Sequence, residues 1–195
     1  MTLGRPRCFD IDKALDCALQ VFWRKGYEGT SLPDLTRAMG INRPSLYAAF
    51  GNKEELFRKV LDRYTDGPGA YIREALEKPT ARAVVERLLN GGADLLTDPR
   101  YPCGCLAVQG ALACGETADR IRQELISRRA AVEAAIRQRL EQAQSTGDLA
   151  ADADPADLAR YVATVSQGMA VQAASGASRD DLQRIIQIAL RAWPV

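Results

Sequence analysis

Residues 41–57 read INRPSLYAAFGNKEELF. Asn42 is a good N-cap, and Arg43 and Pro44 follow in what would be a first helical turn. Leu46 and Phe50, four apart, give that helix an inward side. Arg43, Ser45 and Tyr47 crowd its outward start, where a core helix has no use for them. Gly51 stops the helix, and Asn52 caps another, with Glu54 and Glu55 at its positive end and Leu56, Phe57, Val60 and Leu61 on one face. A helix whose first turns are polar and outward lies against something external and charged.

Upstream, residues 10–25 place Ile11, Leu15, Ala18, Leu19 and Phe22 at three- and four-residue steps, with Asp10, Asp12 and Asp16 at the start and Arg24 and Lys25 at the end. Gly26 stops that helix. Ser31 with Asp34 forms a capping-box pattern, and Pro33 suits a first turn. Leu32, Leu35 and Met39 would be the buried side of a second helix, ended by Gly40. A short helix, a glycine break and a second short helix are the helix-turn-helix plan, in which the second helix puts its N-terminal residues into a DNA major groove. On this reading Asn42, Arg43, Pro44, Ser45 and Tyr47 meet DNA. Thr30 and Ser31 offer hydroxyls and amides to a phosphate, Lys53 reaches another, and Arg5 and Arg7 of the GRPR arm lie along the backbone or in the minor groove. A helical corner of this kind also occurs in proteins that never touch DNA, so periodicity alone leaves both readings open.

The bulk numbers agree with either. The 195 residues are 47% hydrophobic and 26% charged, with a formal charge of +1. Residues 1–53 hold 8 Lys and Arg against 5 Asp and Glu, a mild positive bias that suits an anionic partner. No apolar run approaches the roughly 18 residues of a membrane span, and the N-terminus has no apolar leader core. Five cysteines without framework spacing suit free thiols in a cytoplasmic protein. With no histidine, His-dependent hydrolase triads are excluded. An enzyme or carrier would need a Cys or carboxylate pair instead, and no such pair shares an apolar face.

The rest of the chain also reads as helices: 80–96, a short nearly uncharged segment within 103–114, 118–143, 155–174 and 178–193, with DGPG at 66–69 breaking or kinking the fourth helix. No strand alternation is present, so the expectation is an all-α body.

The run from Ala14 to Asp62 closely resembles the N-terminal DNA-binding domain of the TetR (tetracycline-repressor-like) family of bacterial regulators. The matching elements are A-x-x-x-F-x-x-x-G-Y at Ala18 to Tyr27 followed by Thr30 and Ser31, L-x-x-A-x-G-I at Leu35 to Ile41, and S-L-Y-x-x-F-x-N-K-E-E-L at Ser45 to Leu56. The resemblance implies a three-helix helix-turn-helix domain over residues 1–64 and a helical ligand-binding and dimerisation domain over 65–195. It places family DNA contacts at Thr30, Arg43, Ser45, Tyr47 and Lys53, and needs no cofactor. Pro44, Ala48 and Ala49 depart from the family pattern, which often has a small residue at the first position and His or Tyr at one of the others. An operator sequence therefore does not transfer.

It further implies a homodimer built on the last two helices through Leu158, Tyr161, Val162, Val165, Met169, Leu182, Ile185, Ile186 and Ala189; an internal core is the alternative for these residues. Effectors bind among the middle helices, and YPCGCLAVQGALACGE, residues 101–116, is the unusual segment there, resembling a G-C-L element of some members. Tyr101 and Gln109 would wall a small-molecule pocket. Cys103 and Cys105 would join it, act as thiol sensors of oxidants or electrophiles, or only pack. A zinc site is disfavoured by the Cys-x-Cys spacing and the lack of histidine.

Overall fold

The computed structural model describes residues 9–112 and 118–194, with ten α-helices among them and no strand. The first four follow the sequence's punctuation closely. α1 (Ile11–Lys25) starts where the Asp10 carboxylate accepts the Lys13 N–H, and ends at Gly26, φ 68°. α2 (Leu32–Met39) opens on a full Ser31/Asp34 capping box and closes on Gly40, which takes the left-handed conformation that a residue with Cβ disfavours. In α3 (Arg43–Phe50) the Asn42 side chain accepts the Ser45 N–H at 2.9 Å. α4 (Lys53–Asp66) opens on an Asn52/Glu55 capping box.

After α4 the chain does more than break. Pro68–Ala70 form one 3-10 turn, and α5 (Tyr71–Leu76) follows, a helix the DGPG signal alone does not announce. Its six residues are too few for periodicity to register. α6 (Ala81–Thr97) is capped by Thr80, and its Ala81 N–H also donates to the Asp148 carboxylate at 2.5 Å. α7 (Leu106–Leu112), α8 (Asp119–Ser145), α9 (Pro155–Ala174) and α10 (Arg179–Arg191) complete the chain. Ser178 and Asp181 form the third capping box, as the sequence pattern requires.

Two apolar clusters hold these helices. In the first, Phe22, Leu35, Leu46, Leu56 and Phe57 join α1 to α4, and Phe22 meets Phe57 edge-on at 4.9 Å. The second packs α6 against α5, α9 and α10, and α8 against α9, around Leu89, Leu140, Met169 and Ile186. The first cluster does not stop at α4. Leu95 of α6, Leu106 of α7, and Ile121 and Leu125 of α8 belong to it, so the N-terminal helices are seated in the C-terminal ones.

A directed contact reinforces that seat. The buried Trp23 indole N–H donates to the Gly104 carbonyl at 2.8 Å, while its ring stacks on Tyr101 and meets Tyr64 edge-on. Surface pairs such as Arg128–Asp62 also cross between the halves, but exposed ion pairs contribute at most about 1 kcal/mol. A buried tie counts for more, because either partner left alone costs about 1–3 kcal/mol. No helix among the described residues is long and apolar enough to cross a membrane.

Leu125 is fully buried in the shared cluster. Leu125→Ala is expected to lower stability by about 2–5 kcal/mol in urea unfolding. Because α8 and α1–α4 share that cluster, far-UV dichroism and tryptophan fluorescence should report one coincident transition.

Candidate nucleic-acid interface and interior cavity

The outward start of α3 has the geometry of a reading head. Leu46 and Phe50 are buried and fix the helix, while Asn42, Arg43, Pro44 and Ala48 are exposed and Tyr47 keeps 47% of its surface in solvent. A tyrosine that exposed, on a helix held by its opposite face, is placed for contact rather than packing. Arg43 makes no ion pair among the described residues, so its guanidinium is free for an anion. Ser45 is half-buried beside it.

The other predicted contacts are less available. Thr30 is 1% exposed, and its hydroxyl donates to the Gly26 carbonyl at 2.7 Å. The reading of that hydroxyl as a phosphate donor is corrected: it ties off the end of α1. Ser31 is exposed, but its Oγ both donates to the Asp34 carboxylate at 2.8 Å and accepts the Asp34 N–H. Lys25, 2.8 Å away, and the Ser31 amide and hydroxyl hold the Asp34 carboxyl far below the usual carboxylate range. Lys53 lies half-buried with its Nζ 4.4 Å above the Tyr27 ring. Burial lowers its ammonium pKa, against the nearby Glu28. Arg5 and Arg7 lie outside the described residues.

A second feature sits below α4. An apolar cavity of about 390 Å³ is walled by α4 to α9, with Tyr64, Tyr71, Leu89, Val108 and Ile136 among its lining. That is within the range of small-molecule sites. Arg128 and Arg129 line it, and no carboxylate does among the described residues. Of the four residues expected in a pocket, only Cys105 reaches it. Tyr101 is instead stacked on Trp23, with ring centres 5.3 Å apart. Cys103 is exposed. The Gln109 amide folds back to donate to the Cys103 carbonyl at 3.5 Å. Cys105 accepts the Tyr64 O–H at 3.3 Å. Burial first, and Cys105 second, push the Tyr64 phenol pKa well up. Sequence reading missed Tyr64 and Tyr71, whose positions on short amphipathic helices look like ordinary core.

The last two helices divide the proposed interface. Val162, Met169, Leu182, Ile186 and Ala189 are buried within one protomer, so the internal-core alternative holds for them. Leu158, Val165 and Ile185 are half-buried, and Tyr161 is 37% exposed. Val171 and Ile188, absent from the sequence-based set, are the apolar residues most open to solvent on α9 and α10. A Cβ added at Gly168 would meet nothing within 4 Å, so the backbone there is open to close approach.

Comparison with known proteins agrees along the whole chain. Residues 14–60 match the model of bacterial regulatory proteins of the tetR family, and residues 79–189 match that of the tetracyclin repressor-like C-terminal domain. The chain is 38% identical over 193 residues to the HTH-type transcriptional repressor ComR of Escherichia coli (strain K12), covering 98% of this chain and 92% of ComR. It is 30% identical over 190 residues to the uncharacterized HTH-type transcriptional regulator YezE of Bacillus subtilis (strain 168), covering 96% and 98%. Among solved structures, a cysteine mutant of the TetR family regulator CifR complexed with 26bp double-strand operator DNA superposes with a TM-score of 0.94 at 44% identity, covering 97% of this chain and all of that one.

The Thr30 correction has a measurable consequence. Thr30→Ala should lower folding stability by about 1 kcal/mol while leaving the salt dependence of any DNA binding unchanged. A phosphate contact at that hydroxyl would instead show as weaker binding at full stability.

Proposed function

This chain belongs to the TetR family of bacterial regulatory proteins, and from that premise we propose a homodimeric repressor that leaves its operator when a small molecule fills the cavity. That it is a DNA-binding transcriptional regulator follows from the family. The finer reading is ours: residues 1–64 bind operator DNA, residues 65–195 sense and dimerise, and the protein works in the cytoplasm.

One observation carries it: the exposed start of α3, where Arg43 makes no ion pair among the described residues, with Tyr47 outward and Leu46 and Phe50 fixed. One such helix reads too few base pairs to select a site, and two need half-sites one helical turn, about 34 Å, or a multiple apart. Tyr161, Val165, Val171, Ile185 and Ile188 on α9 and α10 supply the apolar surface for the pairing, with Gly168 allowing close approach. Arg5 and Arg7 would add backbone contacts from the arm. Repression is supported by the naming of ComR as a repressor, and operator binding by the CifR complex.

Release follows from where α4 runs. Its first residues, Asn52 and Lys53, adjoin α3, and Tyr64 near its other end lines the cavity. A straight helix transmits a push at one end to the other, so a ligand against Tyr64 reorients α3. The lining, without carboxylate among the described residues and in a chain without histidine, suits binding rather than turnover.

Band shifts on the duplex upstream of its own gene test this reading. Affinity should fall steeply between low and moderate salt, because each phosphate contact releases counterions. Arg43→Ala should weaken binding by about 1–3 kcal/mol if it reads a base, or reduce the salt slope by about 1 if it holds a phosphate. Ile188→Glu should yield monomers in sedimentation and lose operator affinity. A wild-type protein that is strictly monomeric and has no salt-sensitive affinity for any duplex would end the proposal.

A further inference from the structure

The cavity is mostly apolar, and its charge is one-sided. Arg128 and Arg129 on α8 carry the only charges on its lining among the described residues. Arg128 is committed: its guanidinium lies 2.7 Å from Asp62 on α4 and 2.8 Å from Glu124, one turn back on α8. Arg129 is half-buried, and its side chain makes no ion pair or hydrogen bond among the described residues. A guanidinium stays protonated in proteins, so this one is a permanent charge with no protein counterion among them. Two polar side chains stand near it. α9 runs back along α8, as the Arg160–Glu133 pair at 3.3 Å records. Arg129 lies one turn before Glu133, and Ser166 and Gln167 lie within two turns after Arg160, so all three face one stretch of the cavity wall. Ser166 and Gln167 are half-buried, and neither side chain makes a hydrogen bond among the described residues. A fixed cation beside a hydroxyl and an amide, at the wall of an oily space, is a head-group site joined to a tail site.

We infer that the cavity selects compact amphiphiles with a single carboxylate and an apolar body. This rests on the cavity being the effector site and gives that effector a chemical class. The tail displaces water from walls formed by Leu88, Leu89, Val132, Ile136 and Met169. The carboxylate takes the Arg129 fork bidentately, and the Ser166 hydroxyl and Gln167 amide donate to its remaining lone pairs. One free guanidinium matches one negative charge. A phosphate monoester brings about 1.5–2, and Arg128, already shared between two carboxylates, does not offset the excess. A cationic amphiphile meets two guanidinia and no carboxylate on the lining among the described residues, which selects against it.

The head group also sits where α8 is tied to the N-terminal helices. Arg128, the neighbour of Arg129, carries the bond to Asp62 of α4. A carboxylate that draws Arg129 toward α9 turns the same stretch of α8, and the Arg128–Asp62 bond passes that shift to α4.

The test titrates the full chain with octanoate, decanoate and 4-tert-butylbenzoate, each beside its primary amide and the primary amine of the same carbon skeleton. Calorimetry reads binding, and band shifts on the upstream duplex read release. At least one carboxylate should bind about tenfold or more tightly than its amide and release the DNA, with the amine weaker still. Arg129→Gln should remove the carboxylate's advantage while leaving amide affinity and urea stability unchanged, because that side chain holds no partner among the described residues. Arg129→Lys should restore part of the advantage. Equal binding of acid and amide, a preference for the amine, no binding by any of the carboxylates, or a full carboxylate preference in Arg129→Gln would overturn the proposal. Equal DNA release by the amides would also overturn it, and would leave the cavity standing as a site for neutral effectors. Carboxylate binding through Arg129 with DNA affinity untouched would sustain the site and defeat the release reading instead. A protein with no duplex affinity at the outset would fail the repressor reading, and calorimetry on wild type and Arg129→Gln would still decide the site.

Discussion

The hydrogen bond from the Trp23 indole to the Gly104 carbonyl, 81 residues away and shielded from water, is the constraint on which the rest of the molecule turns. An indole N–H has one partner to give and no lone pair to receive, so its direction is fixed once the ring is packed. Tyr101 on one face and Tyr64 on the edge do that packing. The bond therefore sets where the loop after α6 lies against α1. That loop in turn places Cys105 in the cavity wall and starts α7.

From that placement comes a division of labour. The first four helices have almost no freedom of their own: four side-chain caps, a buried Thr30 hydroxyl and the Lys25–Asp34 pair fix α1 to α4 as one block. The lower helices enclose a void instead, and a void is the part of a packed interior that yields. Their shared wall is α4 with the 101–105 loop. That wall carries Tyr64, Thr65 and Cys105, and the cavity's other polar groups come from Tyr71 on α5, Arg128 and Arg129 on α8, and Ser166 and Gln167 on α9.

The N-terminal half was legible in the sequence because its information is local. Each cap lies within three residues of its partner, and each glycine stop adjoins the helix it ends, so Ser31, Asn42 and Asn52 could be read one by one. The cavity was not legible for the opposite reason. Its lining comes from six helices spread from Leu61 to Ala170, and nothing in the spacing of Tyr64, Tyr71 and Cys105 says that they meet. The eye-catching segment at 101–116 misled in part: Tyr101 supports the Trp23 ring, and Gln109 braces Cys103. On α9 and α10, apolar periodicity identified the side that packs inward, so Val162 and Ile186 were chosen over Val171 and Ile188. A pattern of hydrophobic residues tells which face is greasiest, not which greasy face is left over after folding.

The buried Thr30 and the spent Ser31 hydroxyl narrow the routes by which descendants of this protein can acquire new target sites. Every polar group that closes a helix end is already committed to architecture, and altering one loosens the scaffold before it changes any preference for bases. Variation that leaves the scaffold intact is confined to a few open positions, Arg43, Pro44, Tyr47 and Ala48 foremost. The two small side chains there leave room for larger ones, so retargeting has a short, specific and structurally inexpensive path.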